Sequence, residues 1–283
     1  MTLPDSRILQ RVNTLRKAMW ANKERYALAL TNLFNECESE DQIWMVRKLL
    51  EEFVFINSDI FVNEISKISN QIENVWSLAP KDTIILATCD SAKPDGSQSV
   101  VRALEVELPL RWRGKIYNNI YQAFASRTQN LILVDDFIGS GKTLDGKVAR
   151  IFKHAIDKGS HPNIYLTGLA GMEVGINRLE VLLNNRVFIP IRMHKAISHN
   201  IADANDRKRA IDSMIELEQK LLPVTPYPKP KKLQEYNFGY NLSEAIYFQE
   251  GANVPNNVFP IFWKENINVE GKSVSRTSLF RRR

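Results

Sequence analysis

Residues 131–143 read Leu131-Ile132-Leu133-Val134-Asp135-Asp136-Phe137-Ile138-Gly139-Ser140-Gly141-Lys142-Thr143. The unbroken apolar run Leu131–Val134 is the pattern of a strand covered on both faces. It ends in two adjacent carboxylates, then a loop with Gly139 and Gly141, then a helix from Thr143 to Lys158. In a parallel sheet, such strand-to-helix turns lie at the carboxyl edge, where ligands bind. The amides of Ser140, Gly141, Lys142 and Thr143 would converge on one spot with the helix dipole behind them, a phosphate cradle. Asp135 and Asp136 beside it can accept hydrogen bonds from vicinal sugar hydroxyls or hold a metal ion through water.

Further along the chain in both directions, Thr83–Thr88 and Asn163–Leu169 are two more buried strands. Val100–Leu108 and Val187–Ile191 read as strands as well. Tyr117–Arg127 and Met172–Leu183 read as helices. Strands alternating with helices predict an α/β fold, a parallel sheet covered on both faces. Residues 5 to about 78 read as helices: Ile8, Val12, Leu15 and Met19 keep helical spacing, as do Ile43, Val46, Leu49, Leu50 and Phe53. Asp5-Ser6 stands at an N-cap position, Glu40-Asp41 puts acids at the start of a helix, and Asn57-Ser58-Asp59 opens another that Pro80 stops. A charged helix over 202–222 precedes an extended connector, Thr225–Pro230. Then come Asn237–Tyr240, a strand-like Ala245–Phe248, and Val254–Trp263. The expected division is a helical segment (1–80), a core (81–223), a C-terminal hood (224–264) and a basic tail (265–283).

The 283 residues carry 38 Lys+Arg against 32 Asp+Glu, a surplus of six that permits an anionic partner without the charge density of a strong nucleic-acid binder. Two cysteines, Cys37 and Cys89, exclude a disulfide framework and suit a reducing compartment. No stretch reads as a signal peptide or membrane span, so a soluble, cytoplasmic protein is expected. His154, His161, His194 and His199 show no metal-ligand spacing. Trp20, Trp44 and Trp76 fall on amphipathic helices, as core or subunit contacts.

The segment Leu133–Thr143 resembles the phosphoribosyl-pyrophosphate (PRPP) motif of type I phosphoribosyltransferases, where a strand, two acids and a Gly-containing loop bind a ribose 5-phosphate. The resemblance implies that Asp135 and Asp136 take the ribose hydroxyls and that Gly139, Ser140, Gly141, Lys142 and Thr143 wrap the 5′-phosphate. It also implies Mg²⁺, and a pyrophosphate loop after the first core strand, where Ser91, Lys93 and Arg102 stand. Purine-salvage members with a Gly-Lys-Thr ending carry a proton-accepting Asp at the loop's first position. Here that position is Gly139, which argues against ordinary purine salvage.

Two other readings compete. Gly-Ser-Gly-Lys-Thr ends like a P-loop, but a full one needs glycine where Asp136 stands, and a carboxylate there would repel phosphates. A ligand-free turn would leave two carboxylates at a strand end without partners, which is costly. The C-terminal sequence, Phe238-Gly239-Tyr240 through Pro255-Asn256-Asn257-Val258-Phe259-Pro260-Ile261-Phe262-Trp263, resembles phosphoribosyltransferase-like domains of bacterial conflict systems, which accompany retron-type reverse transcriptases or other anti-phage modules. That likeness spans most of residues 40–263. It implies a toxic effector acting on nucleotides and restrained by a partner, a protein or a reverse transcriptase with its nucleic acid. A regulatory module that binds without turnover is the alternative. Phe262 or Trp263 is a candidate for stacking on a base, against a bland reading in which Phe259 and Ile261 fill the core. The basic end, Arg281–Arg283, is a candidate nucleic-acid contact.

Overall fold

The computed structural model describes residues 24–91, 95–126, 128–221, 237–269 and 271–282. The elements run α1 (Glu24–Asn35), α2 (Glu40–Glu51), β1 (Val54–Ile56), α3 (Ser58–Asn70), β2 (Thr83–Ala87), α4 (Gly96–Glu107), β3 (Ile116–Tyr117), α5 (Gln122–Ala125) and β4 (Asn130–Ile138). They continue with α6 (Lys142–Asp157), β5 (Asn163–Met172), α7 (Glu173–Leu182), β6 (Val187–Phe188), β7 (Ile191–Met193), α8 (Ala204–Gln219), β8 (Tyr247–Gln249), β9 (Asn266–Val269) and β10 (Lys272–Ser275). The Asp5-Ser6 cap, the helix through Met19, Trp20, Lys93, the connector Thr225–Pro230 and Arg283 lie outside the described residues. The described residues form two units: those from Asn57 to Met193, and those up to Ile56 with those from His194 onward. The chain thus divides at Asn57 and His194, with α3 in the unit of the sheet and α8 in the unit of the chain ends.

In the first unit the sheet has the order β3-β2-β4-β5, with β6 and β7 both paired to β5, and every pair is parallel. All five residues of β2 and Leu131–Val134 of β4 are buried, as their apolar runs require. One face, carrying Ile84, Leu86, Leu131, Leu133, Ile164 and Leu166, packs against Leu144, Val148 and Ile151 of α6 and Ile176 and Leu179 of α7. By strand alternation Ile85, Ile132 and Val134 face the other way, toward α3 and α4. The chain crosses from β2 to β3 on one side and returns to β4 on the other. The reversal between β2 and β4 opens a crevice at their carboxyl ends.

Four elements depart from expectation. Val100–Leu108 belongs to helix α4, not a strand. Asp95 caps it, accepting from the Ser97 amide at 3.0 Å, while Gln98 accepts from the Asp95 amide at 3.4 Å, a capping box that overrides the β-branched residues. Val100, Val101 and Leu104 are buried at helical spacing and Val106 points outward. Tyr117–Arg127 gives the end of β3 and a single helical turn, α5. Val187–Ile191 is split around Pro190, which has no N–H for the ladder. Strand β4 runs on through the acid pair to Ile138 instead of stopping before it.

In the second unit α2 packs on α8, and β1 pairs in parallel with β8 from Val54↔Tyr247 to Ile56↔Gln249. Strand β1 goes unread in the sequence because its apolar residues extend the helical pattern before them. The stretch 265–283 is more than a basic tail. It forms the β9–β10 hairpin, and the nearly buried Arg276 guanidinium binds Glu36 and the carbonyls of Ile261 and Lys264. Phe280 lies among the rings of Tyr26, Phe53, Phe55 and Phe248. Polar composition concealed one buried arginine and one aromatic anchor. No described helix is long and apolar enough to cross a membrane.

Candidate functional site

The crevice opens where the β2–β4 ladder ends. Pairing runs from Thr83↔Asn130 to Ala87↔Val134, and the Thr88 amide extends it to the Val134 carbonyl at 3.0 Å. The strands then part. The Asp136 amide donates to Asp135 Oδ1 at 3.0 Å, and the Thr88 carbonyl accepts from Lys147 Nζ at 2.6 Å. Beyond this point β4 pairs with β5, through Phe137↔Ala170 and Ile138↔Gly171. Asp135 and Asp136 therefore sit at the mouth of the crevice.

The two acids have different surroundings. The Asp136 carboxyl lies against Gly96, the first residue of α4: a Cβ there would fall 1.8 Å from its Oδ2 and 2.2 Å from its Cγ. Burial pushes both carboxyls above the usual carboxylate range. For Asp136 the charge of Asp135 adds to burial, and its pKa stands well above the ordinary value. For Asp135 the hydrogen bond with Asp136 and the charge of Lys147 act in the opposite sense. The described residues hold no group of three His, Cys, Asp or Glu able to bind a metal. Asp135 and Asp136 are the oxygen donors here that would hold a cation such as Mg²⁺ brought by a ligand's diphosphate.

The expected phosphate loop follows. Gly141 has φ +74° in the left-handed region and is the N-cap of α6, and it offers no side chain to the helix. Ser39, Asn57, Asp95 and Asp203 do cap α2, α3, α4 and α8. The first amides of α6 lack helical carbonyl partners, and the dipole adds partial positive charge there. Lys142 and Thr143 are exposed and Ser140 is half-buried. Gly175 of α7 backs the loop so closely that a Cβ would lie 2.1 Å from the Gly139 carbonyl oxygen and 2.9 Å from the Gly141 nitrogen. Beside it Arg178 of α7 donates to Asp145 of α6 at 2.8 Å.

The turn after β2 forms the other wall. Its Asp90 ion-pairs with Lys147 at 3.4 Å and Arg150 at 2.9 Å, and its Asp90 carbonyl accepts from the Tyr121 hydroxyl at 2.6 Å. Burial works against ionisation of Asp90, but these two cations outweigh it and hold its pKa below the ordinary value. Lys147 and Gly175 were not singled out from sequence. Lys147 did carry a signal, a lysine inside the apolar stripe of Leu144, Val148 and Ile151 on α6.

The other candidates fall elsewhere. Ser91 is exposed at the end of the turn, where its carbonyl accepts from Cys89 Sγ at 3.5 Å. Arg102 lies six residues down α4, about 9 Å along the axis, and pairs with Glu105 at 2.7 Å. Trp263 belongs to the second unit, where its indole N–H donates to the Val258 carbonyl at 2.8 Å and Arg282 stands 5.3 Å over its ring. Phe262 is fully buried there and is no base platform; Phe259 and Ile261 are core, as the bland reading had it. Asn257 is tied to Ser243 at 3.2 Å, and Gly239 is packed against the Asn257 carbonyl. His154 bonds the Phe124 carbonyl at 2.9 Å, and His194 and His199 stack on each other. Trp76 packs on Tyr165, and Arg209 lies over Trp44.

Among solved structures, the chain is similar to the xanthine-guanine-hypoxanthine phosphoribosyltransferase of Helicobacter pylori, with 12% identity, TM-score 0.32, and 43% of this chain and 77% of that one covered. It is also similar to the AQ2163 protein of Aquifex aeolicus, with 10% identity, TM-score 0.31, and 69% and 87% covered. No curated protein matches it. The family model PRTase-CE matches residues 20–282, a span that contains the acid pair and the loop at the head of α6 and reaches through both units, and the chain belongs to the PRTase-CE family.

Proposed function

We propose that this phosphoribosyltransferase-like chain binds PRPP or a related ribosyl phosphate in the crevice between β2 and β4 and acts at the anomeric carbon. The observation that carries the reading is the helix α6, which begins at Lys142 without a side-chain cap, one short loop beyond the strand whose acid pair has lost its β2 neighbour. The 5-phosphate takes the amides of Ser140–Thr143, the sugar's vicinal hydroxyls donate to Asp135 and Asp136, and a diphosphate on the anomeric carbon points to the turn after β2. Departure of the diphosphate passes through an oxocarbenium-like state whose charge Asp135 stabilises. Mg²⁺, when bound with the diphosphate, neutralises charge on the leaving group. Through its family resemblance the chain serves as a nucleotide-directed effector in anti-phage defence, held by a partner protein or a reverse transcriptase with its nucleic acid.

Gly139 favours a second reading, since it places no side chain where a proton acceptor for a purine would stand. A sensor that binds and does not turn over needs no such group. Calorimetry with PRPP and Mg²⁺, then an assay for pyrophosphate release, separates the two. Binding with release supports the transferase, and binding without release supports the sensor. If replacing both Asp135 and Asp136 by Asn leaves binding and cellular toxicity intact, the site is wrongly assigned. A preference for nucleoside triphosphates that Lys142→Ala abolishes would bring back the P-loop.

A further inference from the structure

We infer that Lys147 is the positioning residue for the diphosphate end of this site, an inference that rests on the ligand reading above and deepens it. In a parallel ladder the Thr88 carbonyl would next receive the Asp136 amide. That amide turns to Asp135 Oδ1 instead, and the Lys147 ammonium takes the carbonyl at 2.6 Å. A side chain from α6 thus stands in for the missing donor and wedges β2 from β4 at the topological switch. The same ammonium reaches Asp90 Oδ1 at 3.4 Å, so one group fixes both the start of the turn and its carboxylate. Its side chain is only 11% exposed, unlike the Arg150 side chain at 58%. A diphosphate approaching this wall meets the carboxylates of Asp90 and Asp135. Without a cation between them both would repel it, and the Thr88 carbonyl would lose its donor. The 5-phosphate seat at the head of α6 depends on backbone amides and not on this ammonium.

The consequence is a split in affinity that general loss of structure would not produce. Calorimetric titrations of inorganic pyrophosphate with Mg²⁺, and separately of ribose 5-phosphate, are run on the wild type, Lys147→Met, Lys147→Gln and Lys147→Arg. The wild type binds both. Lys147→Met loses about tenfold or more in pyrophosphate affinity, the scale of one charge-assisted hydrogen bond, and stays within about twofold for ribose 5-phosphate. Lys147→Gln keeps a donor for Thr88 without the charge, so it shows the same split should the Met variant fail to fold. Lys147→Arg recovers most of the pyrophosphate affinity. Equal losses for both ligands, or none for either, overturn the inference. A wild type that binds ribose 5-phosphate but not pyrophosphate overturns it and leaves the ligand reading standing. One that binds neither overturns both.

Discussion

Gly96 and Asp136 share a space that admits no further atom: a Cβ on the glycine would lie 1.8 Å from the Asp136 carboxylate oxygen. The first residue of α4 is thereby matched to the second acid of β4, although forty positions separate them in the chain. Gly96→Ala forces the carboxyl to swing out of the crevice. The expected cost is about 1–3 kcal/mol of stability, as for other overpacked sites, together with about a tenfold or larger loss of PRPP affinity. Urea melts and calorimetry measure the two. A variant that binds PRPP as tightly as the wild type would show that Asp136 does not touch the sugar.

Gly175 and Gly146 make a controlled pair. At Gly175 a Cβ would meet the backbone of Gly139 and Gly141, which cannot turn aside as a side chain can. Gly175→Ala should displace the phosphate loop and weaken ribose 5-phosphate binding by about tenfold or more, at a cost of about 1–3 kcal/mol. Gly146, in the second turn of α6, has nothing within 4 Å of its Cβ position. Gly146→Ala should stabilise by about 0.4–1 kcal/mol and leave binding unchanged. Thermal melts with and without ribose 5-phosphate distinguish the two variants.

The acid pair sets stability against function. Burial and the neighbouring charge raise the Asp136 pKa well above its ordinary value, so its charged form is disfavoured in the fold. Asp136→Asn removes that charge at nearly constant volume. At pH 7 the variant should gain on the order of 1 kcal/mol in stability and lose affinity for PRPP, because an amide accepts fewer hydrogen bonds from sugar hydroxyls. Loss of stability together with affinity would mean that the carboxylate has partners in the fold that outweigh its desolvation.

The sheet and the loop at its edge were legible because their signals are local. Four consecutive apolar residues, a glycine able to take positive φ and a helical stripe all lie within one short window from Leu131 to Ile151. Helix α4 was misread because Val100, Val101 and Val106 counted toward a strand, while the deciding residues, Asp95 and Gln98, lie upstream in a segment taken for a loop. The walls of the site were illegible for another reason. Gly175 matters through Gly139, and Lys147 matters through Thr88, fifty-nine positions away. Neither residue type announces a site, and only the β2–β4 reversal brings the partners together. The buried Arg276 and Phe280 were hidden in the same way behind the polar composition of the chain's end.

Glu218 on α8 provides a test in the second unit, independent of any ligand. Its side chain is 4% exposed, and one carboxyl oxygen accepts from the Phe238 amide at 2.9 Å while the other has no hydrogen-bond partner among the described residues. Burial pushes its pKa up to about 8, from 4.5, with the amide acting only partly against it. Between those values the unfolded chain releases the proton that the folded chain keeps. The stability this group contributes is therefore fully present below about pH 4.5 and is lost as the pH rises through about 8. Urea melts of the wild type at pH 5 and pH 8 should differ by a few kcal/mol in this sense. Glu218→Gln keeps an acceptor for the Phe238 amide and cannot ionise, so its pH dependence should be flatter and its stability at pH 8 higher than that of the wild type. Parallel pH curves for the two proteins would show that Glu218 is ionised in the folded state at pH 8 at no cost, and that the pocket around it is wetter than its burial implies.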